Sequence, residues 1–200
     1  MEANSCNCGC HRCGMGDHRQ GVSSFFIHDS EEIFRVLGLK EGDFFLDLGC
    51  GFGDYSIRAS SIVGSSGRVL ALDRDEAAID DLNVRIGRKG LFNVTTRTGD
   101  ITRAIPLEDD CVDLSLLSTV LHIPEVVDRV SELGAEIRRV LRPGGLLAVI
   151  EVYGEGELFG PPTGVRISPD EAERLLSPCG FRALDLFDFG RSYLLRFEMS

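Results

Sequence analysis

The sequence predicts an α/β fold in which helices cover both faces of a mostly parallel sheet. From residue 43 onward, short apolar runs alternate with segments of helical periodicity, and this alternation is typical of parallel strands joined by helices. The last two apolar runs are separated only by a short turn around Gly190. Because a parallel connection needs a longer crossover, we expect these two strands to pair antiparallel at the edge of the sheet.

The individual elements follow from periodicity and from capping residues. A short helix is predicted after Asp29, where Glu32 completes a capping-box pattern, and the last helix has Ser168 as cap and Glu171 three residues later. The apolar runs predict strands over 44–49, 68–73, 93–100, 112–118, 146–152, 182–189 and 193–199. The helical patterns predict helices over 54–63, 75–89, 125–141 and 169–177.

Size and charge exclude several classes of protein. The 200 residues fit one ordinary domain, the net charge is −11, and the 21 Lys and Arg residues are scattered. A nucleic-acid-binding protein usually needs a basic face, so a nucleic-acid partner is disfavoured. The chain has no long apolar run, and its N-terminus has no secretion signal. We therefore expect a cytoplasmic protein with no membrane span, and the sequence leaves its oligomeric state open.

The stretch "FLDLGCGFGD" (45–54) predicts a ligand-binding loop between the first strand and the following helix. A dinucleotide loop has the spacing G-x-G-x-x-G, whereas here Gly49, Gly51 and Gly53 alternate and Asp54 occupies the position of the third glycine. Asp47 and Asp54 are also a poor setting for a pyrophosphate, which prefers positive potential. Two carboxylates instead suit a ligand with an ammonium and a sulfonium, as in S-adenosylmethionine.

Two further acids stand where the next strands end. Asp73 ends the second predicted strand, and Asp100 ends the third. In an open α/β sheet the ligand lies beyond the carboxyl ends of the strands, so these side chains are expected near the glycine loop. Asp73 could accept hydrogen bonds from both hydroxyls of a ribose, and Asp100 could accept one from an adenine amino group.

These segments together resemble a class I S-adenosylmethionine-dependent methyltransferase of the small UbiE-like kind. The resemblance runs over roughly residues 30–200, through "LDLGCGFG" (46–53), "LALD" (70–73), "GDI" (99–101), "DDCVDLSLLSTVLHI" (109–123) and "RVLRPGGLLAVIE" (139–151). It implies a Rossmann-like three-layer sandwich with a seven-stranded, mostly parallel sheet whose last strand is antiparallel. It also implies the residues that bind the donor: Asp47, Gly49, Cys50, Gly51 and Gly53 for the methionine part, Asp73 and Arg74 for the ribose, Asp100 and Ile101 for the adenine, and Ser118 for the amino group.

Candidates for catalysis follow the fourth and fifth strands. His122, in "STVLHIPE", could accept a proton from a hydroxyl or thiol acceptor; alternatively, it is a structural histidine bonded to the backbone. In the segment 151–165, Tyr153 or Glu151 could contact the acceptor. Cys50 is interpreted as a small packing residue of the loop rather than a nucleophile. Because little chain remains for a separate substrate domain, a small-molecule acceptor is expected.

The N-terminal residues 1–20 form a separate, cysteine-rich extension of the methyltransferase domain predicted for residues 21–200. Within "CNCGCHRCG" they place Cys6, Cys8, Cys10, His11 and Cys13 close together. Thiols at this density in a reducing compartment predict a metal site, for zinc, another thiophilic metal or an iron–sulfur cluster. The alternative is a tail that binds no metal.

The resulting hypothesis is a methyltransferase that uses S-adenosylmethionine and carries a metal-binding extension. One alternative is a non-catalytic protein that binds S-adenosylmethionine and senses a metal or the redox state through the cysteines. A second is an NAD-dependent oxidoreductase, which the glycine spacing and Asp47 disfavour.

Overall fold

The computed structural model describes residues 24–26, 30–153 and 160–200, which form one seven-stranded sheet with helices packed on it. The strands are β1 (Phe44–Leu48), β2 (Arg68–Asp73), β3 (Val94–Thr98), β4 (Val112–Ser118), β5 (Leu141–Val152), β6 (Phe181–Asp188) and β7 (Ser192–Met199). The α-helices are α1 (Ser30–Leu37), α2 (Asp54–Val63), α3 (Glu76–Lys89), α4 (Pro124–Val127), α5 (Val130–Val140) and α6 (Pro169–Leu176). Short 3-10 helices cover Ser24–Phe26, Thr163–Val165 and Ser177–Cys179.

The strand order is β3-β2-β1-β4-β5-β7-β6. Strands β1 to β5 pair parallel to their neighbours, whereas β7 lies between β5 and β6 and runs antiparallel to both. Only residues 189–191 separate β6 from β7, which is too short for a parallel crossover. The predicted Rossmann-like α/β class, with its antiparallel last strand, is therefore confirmed.

The sheet is covered on both faces, as its apolar strands predict. All five residues of β1 are buried, and its apolar side chains alternate between two cores. Leu46 and Leu48 belong to the core that α5 and α6 cover, whereas Phe45 belongs to the core that α1 and α2 cover. The loops at the carboxyl ends of the central strands are therefore held by a sheet that is packed on both sides.

The helix predicted over 125–141 is wrong as a single element. It consists of α4 and α5, and the chain leaves helical geometry at Arg129, where φ is −122° and ψ is 23°. The predicted start of β5 is also wrong, because the strand begins at Leu141 instead of residue 146. Arg142 precedes Pro143, which favours an extended backbone. Leu141 consequently pairs with Val112, and the ladder has a bulge before Leu146 resumes the pairing.

The predicted cap of α6 is confirmed. The Ser168 hydroxyl accepts a hydrogen bond from the Glu171 backbone N–H, and the Glu171 carboxylate accepts one from the Ser168 N–H. Helix α1 also forms where the sequence predicts it, while its predicted cap, Asp29, lies outside the described residues. None of the helices in the described part of the chain is long and apolar enough to cross a membrane.

Candidate functional site

The loop after β1 adopts a backbone conformation that needs its glycines. Gly49, Gly51 and Gly53 have φ values of 73°, 52° and 74°, in the left-handed region that other residues rarely adopt. A Cβ on Gly49 would lie 2.6 Å from Val120 Cγ2, and one on Gly53 would lie 2.4 Å from Leu82 Cδ1. A Cβ on Gly51 would meet no heavy atom within 4 Å. Two glycines thus allow close packing, and the third faces open space that a ligand can occupy.

Asp73, at the end of β2, binds the tip of this loop. Its Oδ2 accepts a hydrogen bond of 2.7 Å from the Gly51 N–H, and its Oδ1 accepts one of 2.9 Å from the Asp75 N–H. A carboxylate has about four lone-pair sites, so each oxygen can accept another hydrogen bond. Asp73 therefore fixes the loop and remains able to accept hydrogen bonds from a vicinal diol.

A cleft of about 430 Å³ lies beside the loop at the carboxyl edge of the sheet. The predicted donor-binding residues that line it are Gly49, Asp73, Arg74, Asp100, Ile101 and Ser118. The residues that line it and that sequence reasoning missed are Gly99, Thr102, Arg103, Thr119, Ile123, Glu125, Val126 and Arg129. The structure thus brings these six predicted residues into one concave site, whereas Asp47, Cys50, Gly51 and Gly53 are not among its lining residues.

Part of the missed set carried a signal in the sequence. Thr119 directly follows β4, so the argument that selected Asp73 and Asp100 applies to it as well. Its φ of 54° is unusual for a threonine, and its N–H donates a hydrogen bond of 2.7 Å to the Ile150 carbonyl. Arg129 had no such signal, because its position depends on the break between α4 and α5.

Asp100 is held as a charged acceptor at one end of the cleft. Its Oδ1 accepts hydrogen bonds from the Thr102 N–H at 2.9 Å and from the Thr102 hydroxyl at 2.8 Å. These bonds, supported by the nearby charges of Arg103 and Arg129, lower the pKa of Asp100. The carboxylate is therefore ionised at neutral pH, and its Oδ2 lies 3.6 Å from Arg103 Nε.

Asp47 lies beneath the loop rather than at its surface. Its side chain is buried, and its Oδ2 accepts a hydrogen bond of 2.5 Å from the Ser56 hydroxyl. Burial raises the pKa of Asp47 to about 7, and the charges of Asp73 and Asp54 add to the effect. A cationic ligand above the loop would favour the ionised form of this carboxyl.

The charge argument made for Asp54 from the sequence needs a correction. Asp54 Oδ1 accepts a hydrogen bond of 2.6 Å from Arg85 Nη2, and Arg85 Nη1 donates to the Phe52 carbonyl. The Asp54 charge is therefore matched by an arginine 31 residues away. The negative potential that Asp54 contributes at the loop is reduced accordingly.

Cys50 fits its interpretation as a packing residue. Its thiol lies 3.6 Å from the Gly51 carbonyl, to which it donates. Burial raises its pKa, and the charges of Asp47 and Asp73 raise it further. A thiol that stays protonated is a poor nucleophile.

Two of the catalytic candidates contact each other. His122 Nδ1 lies 3.0 Å from Glu151 Oε2, and the His122 backbone N–H donates to Glu151 Oε1 at 3.3 Å. The Glu151 side chain is fully buried, whereas 17% of the His122 side chain is exposed. The third candidate, Tyr153, hydrogen-bonds Asp188, which raises the pKa of its hydroxyl, and its ring packs edge-on against Tyr193.

The metal prediction falls on residues without a structural description. Cys6, Cys8, Cys10, His11 and Cys13 all lie outside the described residues. Within the described ranges, no group of three His, Cys, Asp or Glu side chains could hold a metal ion.

Comparisons with known proteins agree with this site. A family model described as a methyltransferase domain matches residues 39–176. Among curated proteins, the ubiquinone/menaquinone biosynthesis C-methyltransferase UbiE of Pasteurella multocida is 33% identical over 146 residues, which are 69% of this chain and 51% of that protein. The demethylmenaquinone methyltransferase of Lactobacillus johnsonii is 33% identical over 122 residues, covering 60% of this chain and 48% of that protein. The chain thus spans about half the length of these two relatives.

Among solved structures, a SAM-dependent methyltransferase from Aquifex aeolicus superposes with a TM-score of 0.80 at 28% identity. The match covers 88% of this chain and 92% of that one. The sheet order, the open glycine loop and these matches show that the chain belongs to the class I S-adenosylmethionine-dependent methyltransferases.

Proposed function

We propose that the protein transfers a methyl group from S-adenosylmethionine to a small-molecule acceptor at the 430 Å³ cleft. The observation that carries this proposal is the pairing of Gly51 with Asp73. The glycine leaves open space above the loop, while the carboxylate that holds its N–H retains free lone pairs toward the cleft.

The residues around the cleft fit the donor part by part. The loop backbone from Gly49 to Gly53 would lie against the methionine part, with Asp73 providing negative potential for its positive charges. Asp47, whose pKa is raised to about 7, would ionise more readily once a cation is bound. Asp73 and Arg74 would bind the ribose, and Asp100 with Ile101 would bind the adenine. Ser118 lines the same cleft and would lie near the amino group.

The chain's contribution to the reaction is mainly alignment and exclusion of water. The donor supplies an activated methyl group, and the transfer is an in-line displacement in which positive charge disappears. Loop residues fixed by Asp73 and by Arg85 would hold the donor in one orientation. Such preorganisation lowers the entropic part of the barrier without any change in the chemistry.

One curated relative is named a demethylmenaquinone methyltransferase and the other a ubiquinone/menaquinone biosynthesis C-methyltransferase, which supports a small-molecule acceptor. The net charge of −11 also supports a small molecule over a nucleic acid.

The affinity for S-adenosylhomocysteine, compared between the wild-type protein and the Asp73→Asn variant, tests the proposal directly. Calorimetry of the wild-type protein with S-adenosylhomocysteine should give a saturable one-site isotherm, whereas NAD should give no binding. In Asp73→Asn, the loss of a charged acceptor should weaken binding by about 10–100-fold. Asp81→Asn is the matched control, because Asp81 is an exposed residue of α3, and its affinity should equal that of the wild type.

Two results would contradict the proposal. Tight NAD binding without S-adenosylhomocysteine binding would favour an oxidoreductase instead. Donor binding with no production of S-adenosylhomocysteine across a panel of acceptors would favour the non-catalytic sensor.

A metal site formed by Cys6, Cys8, Cys10 and Cys13, with His11 as a further candidate ligand, is a separate proposal. It is supported by the density of soft ligands in the sequence. Elemental analysis of protein purified without chelators tests it, and a stoichiometric thiophilic metal is expected. A cytoplasmic location likewise stays a prediction.

A further inference from the structure

The His122–Glu151 pair lies beside the cleft and has no role in donor binding as described above. We propose that His122 is the general base of the reaction and that Glu151 is its positioning residue. The acceptor would then be a hydroxyl or thiol compound that loses its proton as it attacks. This inference rests on the proposed methyltransferase function and goes further by assigning the class of acceptor.

The first support is the burial of Glu151. This carboxylate is fully buried in β5, and a buried charge is costly unless hydrogen bonds compensate it. Both of its oxygens face His122, one toward the backbone N–H at 3.3 Å and one toward Nδ1 at 3.0 Å. Two contacts from one residue fix both the position and the rotation of the imidazole ring.

The second support is the tautomer that this geometry imposes. Nδ1 lies 3.0 Å from Glu151 Oε2, so a carboxylate at this position accepts its hydrogen bond from the Nδ1–H of a neutral ring. Nε2 then has a free lone pair, which is the requirement for a general base. Since Glu151 is fully buried and 17% of the His122 side chain is exposed, we infer that the exposed part of the ring includes Nε2.

The third support is the location of His122 in the chain. Thr119 and Ile123 both line the donor cleft, and His122 lies between them in the segment that follows β4. An acceptor that enters beside the donor would therefore meet this segment. His122 thus follows the carboxyl end of a parallel strand, as Asp100 does.

The other charged and titratable groups near His122 and Glu151 have partners of their own, so they do not compete for the contact between these two residues. Among the described residues, the basic side chain in contact with Glu151 is His122. Tyr193 lies opposite Glu151 in β7, and its hydroxyl donates to the Ser168 carbonyl at 3.3 Å. Burial raises the pKa of Tyr193, and the charges of Glu151 and Glu171 raise it further. Tyr153, which packs against Tyr193, hydrogen-bonds Asp188 instead.

The proton transfer balances without any added reagent. Nε2 of His122 takes the proton from the O–H or S–H of the acceptor, and the freed electron pair forms the new bond to the methyl carbon. The electron pair of the broken carbon–sulfur bond stays on sulfur, which becomes a neutral thioether. Glu151 stabilises the imidazolium, and the ring then releases its proton to solvent.

The tautomer of His122 gives a test that is independent of activity. The full-length protein contains four histidines, and a ¹⁵N-histidine sample with His122→Gln for assignment identifies the resonances of the ring. We expect the Nδ1–H tautomer in the wild type and a shift toward the Nε2–H tautomer in Glu151→Gln. A wild-type ring that carries its proton on Nε2 would overturn the proposal.

Kinetics give the second test, with catechol, thiophenol and aniline as acceptor probes and S-adenosylhomocysteine formation as the signal. Turnover is expected with catechol or thiophenol, and methylation of aniline alone would overturn the assigned acceptor class. Glu151→Gln should lower kcat by about 10–100-fold and His122→Gln by about 100–10,000-fold, each with little change in KM.

Measurements of donor affinity distinguish a failure of this inference from a failure of the proposed methyltransferase function. Both variants should bind S-adenosylhomocysteine as the wild type does, because neither residue lines the donor cleft. Full kcat in Glu151→Gln with normal donor binding would refute the inference and leave the methyltransferase standing. Absence of donor binding in the wild-type protein would contradict both the inference and the proposed methyltransferase function. Thermal melts show whether each variant is folded, and Glu151→Asp replaces Glu151→Gln if it is not.

Discussion

At the scale of single residues, the donor loop rests on two carboxylates in opposite environments. Asp73 is partly exposed and accepts two backbone hydrogen bonds. Asp47 is buried and accepts a hydrogen bond from the Ser56 hydroxyl, and its pKa is raised to about 7. A buried acid next to a second acid is unfavourable for the empty protein, and it becomes favourable once a cation lies above it. Asp47 therefore lowers the stability of the protein and favours the binding of a cationic donor.

The charge on Asp47 predicts a specific dependence of stability on pH. The native carboxyl keeps its proton up to about pH 7, whereas in the unfolded chain it releases it near 3.8. Between these values the native state binds more protons, so its unfolding free energy falls as the pH rises. Asp47→Asn removes this charge and should stabilise the protein by about 1–3 kcal/mol at about pH 8. Urea unfolding at several pH values measures the effect.

Asp47→Asn should also weaken donor binding. The carboxylate that destabilises the protein without ligand is the same one that attracts the positive charges of the donor. Asp81→Asn, on the exposed side of α3, is again the matched control and should change neither property. If Asp47→Asn and the wild type lose stability equally between about pH 4 and pH 7, the buried charge is not the cause.

At the scale of elements, the sequence predicts strands and their ends better than it predicts long-range partners. Apart from the start of β5, the central strands follow from apolar runs, because burial on both faces demands one. Strands β3 and β6 are partly exposed instead. Asp73 and Asp100 could be placed because strand ends share one edge of the sheet. The pairing of Asp54 with Arg85 could not be foreseen, since it depends on how α3 packs over the loop. The break at Arg129 is equally a product of packing.

Arg85 connects helix α3 to the glycine loop. Its guanidinium donates to the Phe52 carbonyl and to Asp54, so it fixes both the loop and the first residue of α2. Arg85→Ala would leave Asp54, whose side chain is 9% exposed, without its partner. We expect a loss of about 1–2 kcal/mol in the unfolding free energy and about tenfold weaker S-adenosylhomocysteine binding.

The neighbouring Arg88 offers the comparison for this experiment, because it is an exposed residue of the same helix. Arg88→Ala should retain donor affinity and stability. Equal donor affinity in Arg85→Ala and Arg88→Ala would show that the loop holds its conformation without the link from α3.

At the scale of the whole molecule, the described part of the donor site is formed by the carboxyl ends of the strands and by the segment that runs through α4 to Arg129. Its lining residues run from Gly49 to Arg129, and the two cores that support the sheet draw on residues from Ile33 to Phe197. Every contact described for the site lies within these bounds. The sequence predicts a cysteine-rich extension at 1–20 and a methyltransferase domain at 21–200, and this division remains a prediction.

This division predicts the outcome of removing residues 1–20. The shortened chain keeps the described cores and every lining residue of the cleft, so it should bind S-adenosylhomocysteine within about threefold of the full-length affinity. Any stoichiometric metal should be lost with Cys6, Cys8, Cys10 and Cys13. Calorimetry and elemental analysis of both chains measure the two properties separately. A donor affinity that falls together with the metal content would show that the extension acts on the site, and the cysteines would then be part of the methyltransferase rather than an appendage to it.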